Sequence, residues 1–258
     1  MKVVLACRDG LSSCYVAGRL ARKGLLDTII VESGKIARKK KIDRVFRRSA
    51  FWQVPGIILN FAFLFVYQRL QERAMRDFVA AEELELKFPD GIQQFHVDDI
   101  NDRSCKEFLE QQNPDYLVVM GTALLKTHII NIPLIAVLNI HGGMVPKYRN
   151  VHSDLWAFIQ GDHDNIGTSI LYLDEGIDTG DIVCQSSAGV DVLDGLFVAK
   201  QKNLSLAGDL IEAALIRKEL IDNRHVQDKE FQHFFPTPGN GAFIKLLSIT
   251  IRRKLGLH

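Results

Sequence analysis

The chain has 258 residues, 47% of them hydrophobic, which is enough for one large α/β domain or one domain with an appendage and too apolar for disorder throughout. Its 32 basic and 31 acidic side chains leave a formal net charge of +1, arguing against bulk attraction to nucleic acid. Four cysteines, at 7, 14, 105 and 184, include no Cys-x-x-Cys pair and suit reduced thiols in a cytoplasmic protein, and the apolar run from Met1 to Cys7 is too short for a signal peptide.

In chain order, Lys2 to Ala6 predicts a buried strand, Leu11 to Arg22 a helix opened by Asp9-Gly10, and Leu26 to Glu32 a second strand. A strand, helix, strand opening is the usual start of a doubly wound parallel sheet. The first turn, Cys7-Arg8-Asp9-Gly10, lacks Gly-x-Gly-x-x-Gly and gives no support to a nicotinamide cofactor. Lys35 to Arg48 holds eight basic side chains against one acid, Asp43, a local charge of +7. This is either a solvated helix face, a phosphate-binding patch or a contact for an anionic membrane surface. Ala50 to Tyr67 is apolar almost all round but interrupted by Gln53, Pro55, Gly56 and Asn60, so it is a poor membrane span. A helix apolar on every side is buried somewhere: in a core, in a homodimer interface or at the membrane surface.

Arg69 to Ala81 continues as a more polar helix. Gln93 to Val97 is a strand, Asp102 to Gln111 a helix, and Tyr116 to Met120 a buried strand after the Pro114-Asp115 break. Thr122 to Ile130 is a short helix or turn. Val151 to Gln160 is a helix, Ile182 to Val192 a strand or pair of strands, and Leu196 to Leu220 a long helix. From Asp222 the composition shifts to Phe231, Phe234, Phe235 and a Pro/Gly-rich run. This reads as an extended arm folding back, followed by a basic amphipathic tail from Ile244 to Leu257. His152, His163 and Asp164 make no convincing metal set, and His-Glu-x-x-His does not occur, so no metal is expected.

The chemistry concentrates between Val137 and Asp181. Ile135 to Asn139 is a buried strand, and if it runs on, Asn139 and His141 point to the same side. Gly142 and Gly143 follow at once and allow a sharp turn with close ligand approach. Asp178 sits in a second turn, Glu175-Gly176-Ile177-Asp178-Thr179-Gly180, between strand-like runs. An amide and an imidazole can donate to an oxyanion, and a carboxylate beside the imidazole supports its charge and orients it. No Gly-x-Ser-x-Gly elbow and no cysteine near the glycines indicate a covalent acyl-enzyme, so direct attack by a substrate amine fits better.

Asn139-x-His141, Pro146-Lys147-Tyr148-Arg149, Gly167-Thr168-Ser169 and Asp174 to Gly180, with Val118 to Leu125 upstream, together resemble the folate-dependent formyltransferases. The resemblance implies a Rossmann-like α/β fold with a mostly parallel sheet flanked by helices. Residues 1–190 would form the catalytic domain and 191–258 a C-terminal strand and helix appendage. It implies that Asn139, His141 and Asp178 are catalytic: an amine attacks the formyl carbon of N10-formyltetrahydrofolate, Asn139 and His141 stabilise the oxyanion, and Asp178 supports His141 and helps move the proton. It places that co-substrate against Met120, Gly121, Thr122, Leu124, Leu125, Asp174, Glu175, Gly176 and Ile177. The acceptor would meet Gly142, Gly143, Met144, Pro146, Tyr148 and Arg149, the last two being either substrate contacts or loop anchors.

Two departures bear on the acceptor: Gly142-Gly143-Met144-Val145-Pro146 replaces the family's frequent Ser-Leu-Leu-Pro, and Asn150 stands where a Gly usually follows Arg149. The tRNA-modifying members carry an added C-terminal β-barrel, the glycinamide ribonucleotide members lack an insert like residues 35–80, and the hydrolase carries an N-terminal regulatory domain. By elimination the resemblance implies a nucleotide-linked amino sugar as acceptor, in the cytoplasmic synthesis of surface polysaccharide such as lipopolysaccharide O-antigen. The alternatives are formyl transfer to glycinamide ribonucleotide or methionyl-tRNA and, in another class, a membrane-surface module docked through residues 35–67 with a vestigial folate site.

Overall fold

Short segments, aliphatic at the centre of the sheet and more polar toward its edges, pair into seven strands in the computed structural model, which describes residues 1–34, 50–228 and 233–255. The strands are β1 (Val3–Arg8), β2 (Thr28–Glu32), β3 (Gln93–Val97), β4 (Tyr116–Met120), β5 (Ala136–His141), β6 (Gly167–Tyr172) and β7 (Ile182–Ser187), in the order β3-β2-β1-β4-β5-β6-β7. The first five pair in parallel, and β6 and β7 are antiparallel additions on the β5 edge. Strand β1 shows why its sequence is apolar from Val3 to Cys7. Val3, Leu5 and Cys7 bury against helices on one face, while Val4 and Ala6 bury on the other. The order reverses between β1 and β4, and in such sheets ligands sit beyond the carboxyl ends of the strands near that point.

Helices α1 (Leu11–Arg22), α2 (Val54–Ala81), α3 (Arg103–Gln112), α4 (Thr127–Ile130), α5 (Ser153–Gln160), α6 (Leu196–Ile216), α7 (Lys218–Asp222) and α8 (Asn240–Lys254) flank the sheet. The α/β architecture expected from the opening of the chain is the one observed. Tyr15 and Leu20 of α1 join Leu204, Ile211 and Leu215 of α6 over one face, and Cys105 and Leu109 of α3 cover the other. Arg19 ties α1 to α6 through 2.7 Å ion pairs to Glu212 and Asp209. A further apolar cluster joins Tyr67 of α2, Phe158 of α5 and Phe243 of α8.

Several boundaries differ from expectation. Strand β5 runs two residues further, to His141. The long helix after Leu196 breaks at Arg217, whose ψ of 91° is not helical. Only Ile182–Ser187 of the expected strand to Val192 is regular. The apolar segment before Tyr67 is buried on one side only: Ile58, Leu59, Phe65 and Val66 are exposed. The basic run Lys35 to Arg48, Phe231 and the tail beyond Leu255 lie outside the described residues. The C-terminal arm does fold back, stacking Phe235 on Tyr148 and Trp156 with ring centroids 5.1 and 5.5 Å apart.

Candidate active site

The extra length of β5 matters because it keeps Asn139 and His141 on one strand with the parity of Val137. Both side chains reach Asp178, which comes from the loop between β6 and β7 with a left-handed φ of 52°. Asn139 Nδ2 donates to Asp178 Oδ1 at 3.1 Å, and His141 Nδ1 lies 3.4 Å from the same oxygen. The other carboxylate oxygen accepts the Asn150 amide at 2.9 Å. His141 Nε2 meets the Tyr148 carbonyl at 2.8 Å; a carbonyl only accepts, so that nitrogen carries a proton. The three side chains that resemblance singled out are brought together, and each is held by a named partner.

The surrounding loops are fixed from behind. Gln227 Nε2 donates to the carbonyls of Asp178 (2.9 Å) and Gly180 (2.7 Å). Arg149 Nε donates to the Ile177 carbonyl at 3.0 Å. Asp174 accepts from Thr179 Oγ1 (2.6 Å) and the Gly176 amide (3.0 Å), closing the turn on itself. A Cβ at Gly180 would stand 1.8 Å from the Tyr172 carbonyl, and one at Gly143 would stand 2.7 Å from His141 Nε2. Both positions therefore need glycine for close approach.

A cavity of about 550 Å³ opens over these groups. Its walls include Met120, Gly121, Thr122, Leu124 and Leu125 from the β4 loop, Asp174, Gly176 and Ile177 from the β6 loop, and Gly142 beyond β5. Glu175 is turned aside to Thr127 Oγ1. Gly143, Met144, Pro146, Tyr148 and Arg149 lie behind the wall and not on it. Tyr148 is fully buried, with its hydroxyl 2.7 Å from Asp162 Oδ2, and Arg149 is spent on the Ile177 carbonyl, so both take the anchoring place of their two expected roles. Burial pushes the Tyr148 phenol up, and Asp162 beside it adds to the shift.

Four further groups shape the cavity that sequence reading did not single out. Glu32, only 2% exposed, accepts the Ala123 amide at 2.8 Å and the Ile100 amide at 3.1 Å, which fixes the β4 loop. Gln71 of α2 reaches the same wall. Asp154 at the start of α5 and Lys200 in α6 form a buried ion pair that lines it. Burial alone raises the Asp154 carboxyl, but the charge and hydrogen bond of Lys200 outweigh it and hold the group below its ordinary range. Burial likewise works against the Lys200 ammonium, and Asp154 more than restores it. The available signals were one acid in the apolar Val151 to Gln160 pattern and one lysine on an inward helical position, too common to single out.

Residues 62–208, more than half of the chain, match the family model described as Formyl transferase. A methionyl-tRNA formyltransferase from Syntrophus aciditrophicus is 32% identical over 118 residues, covering 45% of this chain and 37% of the relative. The chain thus spans well under two thirds of that relative's length. Among solved structures, a sugar N-formyltransferase from a Shewanella species superposes with a TM-score of 0.56 at 12% identity, covering 96% of this chain and 88% of the other. An N-formyltransferase from Helicobacter canadensis, in complex with folinic acid and dTDP-3-aminofucose, gives a TM-score of 0.56 at 11% identity, covering 99% and 82%. At such identities these two likenesses are likenesses of fold.

Proposed function

Because the chain belongs to the formyl transferase family, we propose that it moves a formyl group from N10-formyltetrahydrofolate to the primary amine of a nucleotide-linked amino sugar. The observation that carries the formyl-transfer reading is the meeting of Asn139, His141 and Asp178 at one carboxylate oxygen on the wall of the cavity. Val119, Leu125, Leu171, Leu173 and Ile177 give that cavity apolar surfaces beside open backbone, which suits a flat heteroaromatic ring.

The co-substrate supplies an electrophilic formyl carbon. Asn139 and the imidazolium of His141 donate to the oxygen on which charge collects as the amine attacks. The 3.4 Å separation between His141 Nδ1 and Asp178 is longer than a formed N–H···O bond of about 3 Å, so this N–H is open to a second acceptor. Asp178 orients both donors and accepts the amine's proton on its way, directly or through water, to the departing nitrogen. Asp154 and Lys200 set a fixed anion and cation on the cavity wall, where amino and hydroxyl groups of an acceptor would be sorted by charge and hydrogen bonding. Residues 1–190 would carry Asn139, His141 and Asp178, and residues 191–258 would add Lys200 to the cavity wall and Gln227 behind the Asp178 loop.

The reading of the acceptor rests on the fold likeness to sugar N-formyltransferases over nearly the whole chain. Synthesis of surface polysaccharide is the process such a product would enter. Incubation with N10-formyltetrahydrofolate and dTDP-, UDP- or GDP-linked amino sugars, read as release of tetrahydrofolate, should show turnover with one of them. Turnover with glycinamide ribonucleotide or methionyl-tRNA in their place would replace the sugar reading. Failure of a folate analogue to bind at all would remove the formyl-transfer reading itself.

A further inference from the structure

Helices α2 and α8 lie side by side: Phe63 stacks on Phe243 with centroids 6.0 Å apart, and Asn240 Nδ2 donates to the Gly56 carbonyl at 2.9 Å. Their inward faces, with Tyr67, Ala242 and Phe243, are spent in the core. The outward faces nevertheless stay apolar. On α2, Ile58, Leu59, Phe65, Val66 and Leu70 recur at helical spacing and are 49–58% exposed. Trp52, just before the helix, is 69% exposed. On α8, Ile244, Leu247 and Ile251 form a second outward row. Single exposed apolar side chains are ordinary, but two such rows on neighbouring helices mark an interaction surface.

The charge around these rows selects the partner. The α2 stripe continues into Arg69 and Arg73, with the Arg69 guanidinium 5.1 Å from the Phe65 ring centre. Lys245 and Arg252 flank the α8 row on exposed positions. No Asp or Glu occurs from Trp52 to Gln71 or within α8, and the first acid of α2, Glu72, is paired with Arg76 at 3.4 Å. A two-fold dimer through this face would set the same cations against each other. An anionic bilayer offers apolar depth for the stripe and opposite charge for its rim. No helix among the described residues is long and apolar enough to cross a membrane, so the geometry is that of a helix pair lying on one. From this geometry we propose that the outward faces of α2 and α8 seat the protein on the surface of an anionic phospholipid bilayer.

Flotation of the full chain with phosphatidylcholine vesicles, with and without phosphatidylglycerol, tests this. Binding should require phosphatidylglycerol and weaken as salt is raised. Leu59→Glu with Phe65→Glu, and separately Arg69→Glu with Arg73→Glu, should each lower binding about tenfold or more. All four positions are exposed, and unchanged circular dichroism melts would show that the fold is kept. The proposal fails if the chain stays off phosphatidylglycerol vesicles at low salt or binds pure phosphatidylcholine equally well. It fails too if light scattering shows a dimer that the Glu substitutions dissociate while flotation is unaltered.

Discussion

Among single residues, His141 and the Asp154–Lys200 pair make opposite kinds of claim. His141 is buried and its Nε2 is the partner of the Tyr148 carbonyl, so His141→Ala should lower stability by about 1–3 kcal/mol while the protein still folds. One oxyanion donor is worth about 2.7–4 kcal/mol, so kcat should fall about 10²–10³-fold; a fall of less than tenfold would remove His141 from the chemistry. The ion pair is different because the charge left unpaired sets its cost. Lys200→Met strands a buried carboxylate and should cost about 3–5 kcal/mol of stability. Asp154 is held low in the folded state, so the pair's stabilisation is present at neutral pH and lost as pH falls through the folded value. The deficit of Lys200→Met should therefore shrink on acidification, in denaturant melts run at several pH values. Adding Asp154→Leu should recover most of the stability, since apolar replacement of a buried pair is often neutral. If activity recovers with it, the pair is structural and has no part in acceptor binding.

At the level of elements, the loop between β6 and β7 is where sequence and structure diverge most usefully. The inner strands β1, β2, β4 and β5 were legible as short apolar runs bounded by turn residues; β3 and β4 are observed with the bounds their sequences predict. The Asn139 and His141 parity was legible for the same reason. What fixes the loop was not, because Gln227 lies 49 residues from Asp178 in a stretch without periodicity. Glu32 was hidden as the last residue of a strand, although its carboxylate holds the Ala123 amide 91 residues away. Long-range hydrogen bonds from side chains to backbone leave no local pattern to read. Gln227 gives the element its test: Gln227→Ala frees the Asp178 and Gly180 carbonyls, at about 1–3 kcal/mol for polar groups left unpaired. With Asp178 less firmly placed, kcat should fall about tenfold or more while donor affinity in a folate-analogue titration holds within a small factor. Equal losses in both would mean that the loop serves binding and not the positioning of the carboxylate.

For the molecule as a whole, the question is how far residues 191–258 can be separated from the rest. The family resemblance implied an appendage after residue 190, and the composition shifts only from Asp222. The packing ties residues 191–258 in. Leu204, Ala207, Ile211, Ala214 and Leu215 of α6 lie in the same cluster as Leu5, Leu138, Ile170 and Val183 of the sheet. Arg19 on α1 spends its hydrogen bonds on Glu212 and Asp209. Leu204, Ile211 and Leu215 alone contribute about 1.5–3 kcal/mol each by burial, against a total margin of about 5–15 kcal/mol for a typical domain. Removing α6 would also bare the sheet face they cover and leave Asp154 without Lys200. A fragment of residues 1–190 should therefore show no cooperative thermal transition, whereas the whole chain melts as one unit. A two-state melt of that fragment, with folate-analogue binding retained, would mean that the first 190 residues fold and hold the co-substrate on their own. The acceptor side would then be the separable part, because Lys200 reaches the cavity from outside that fragment.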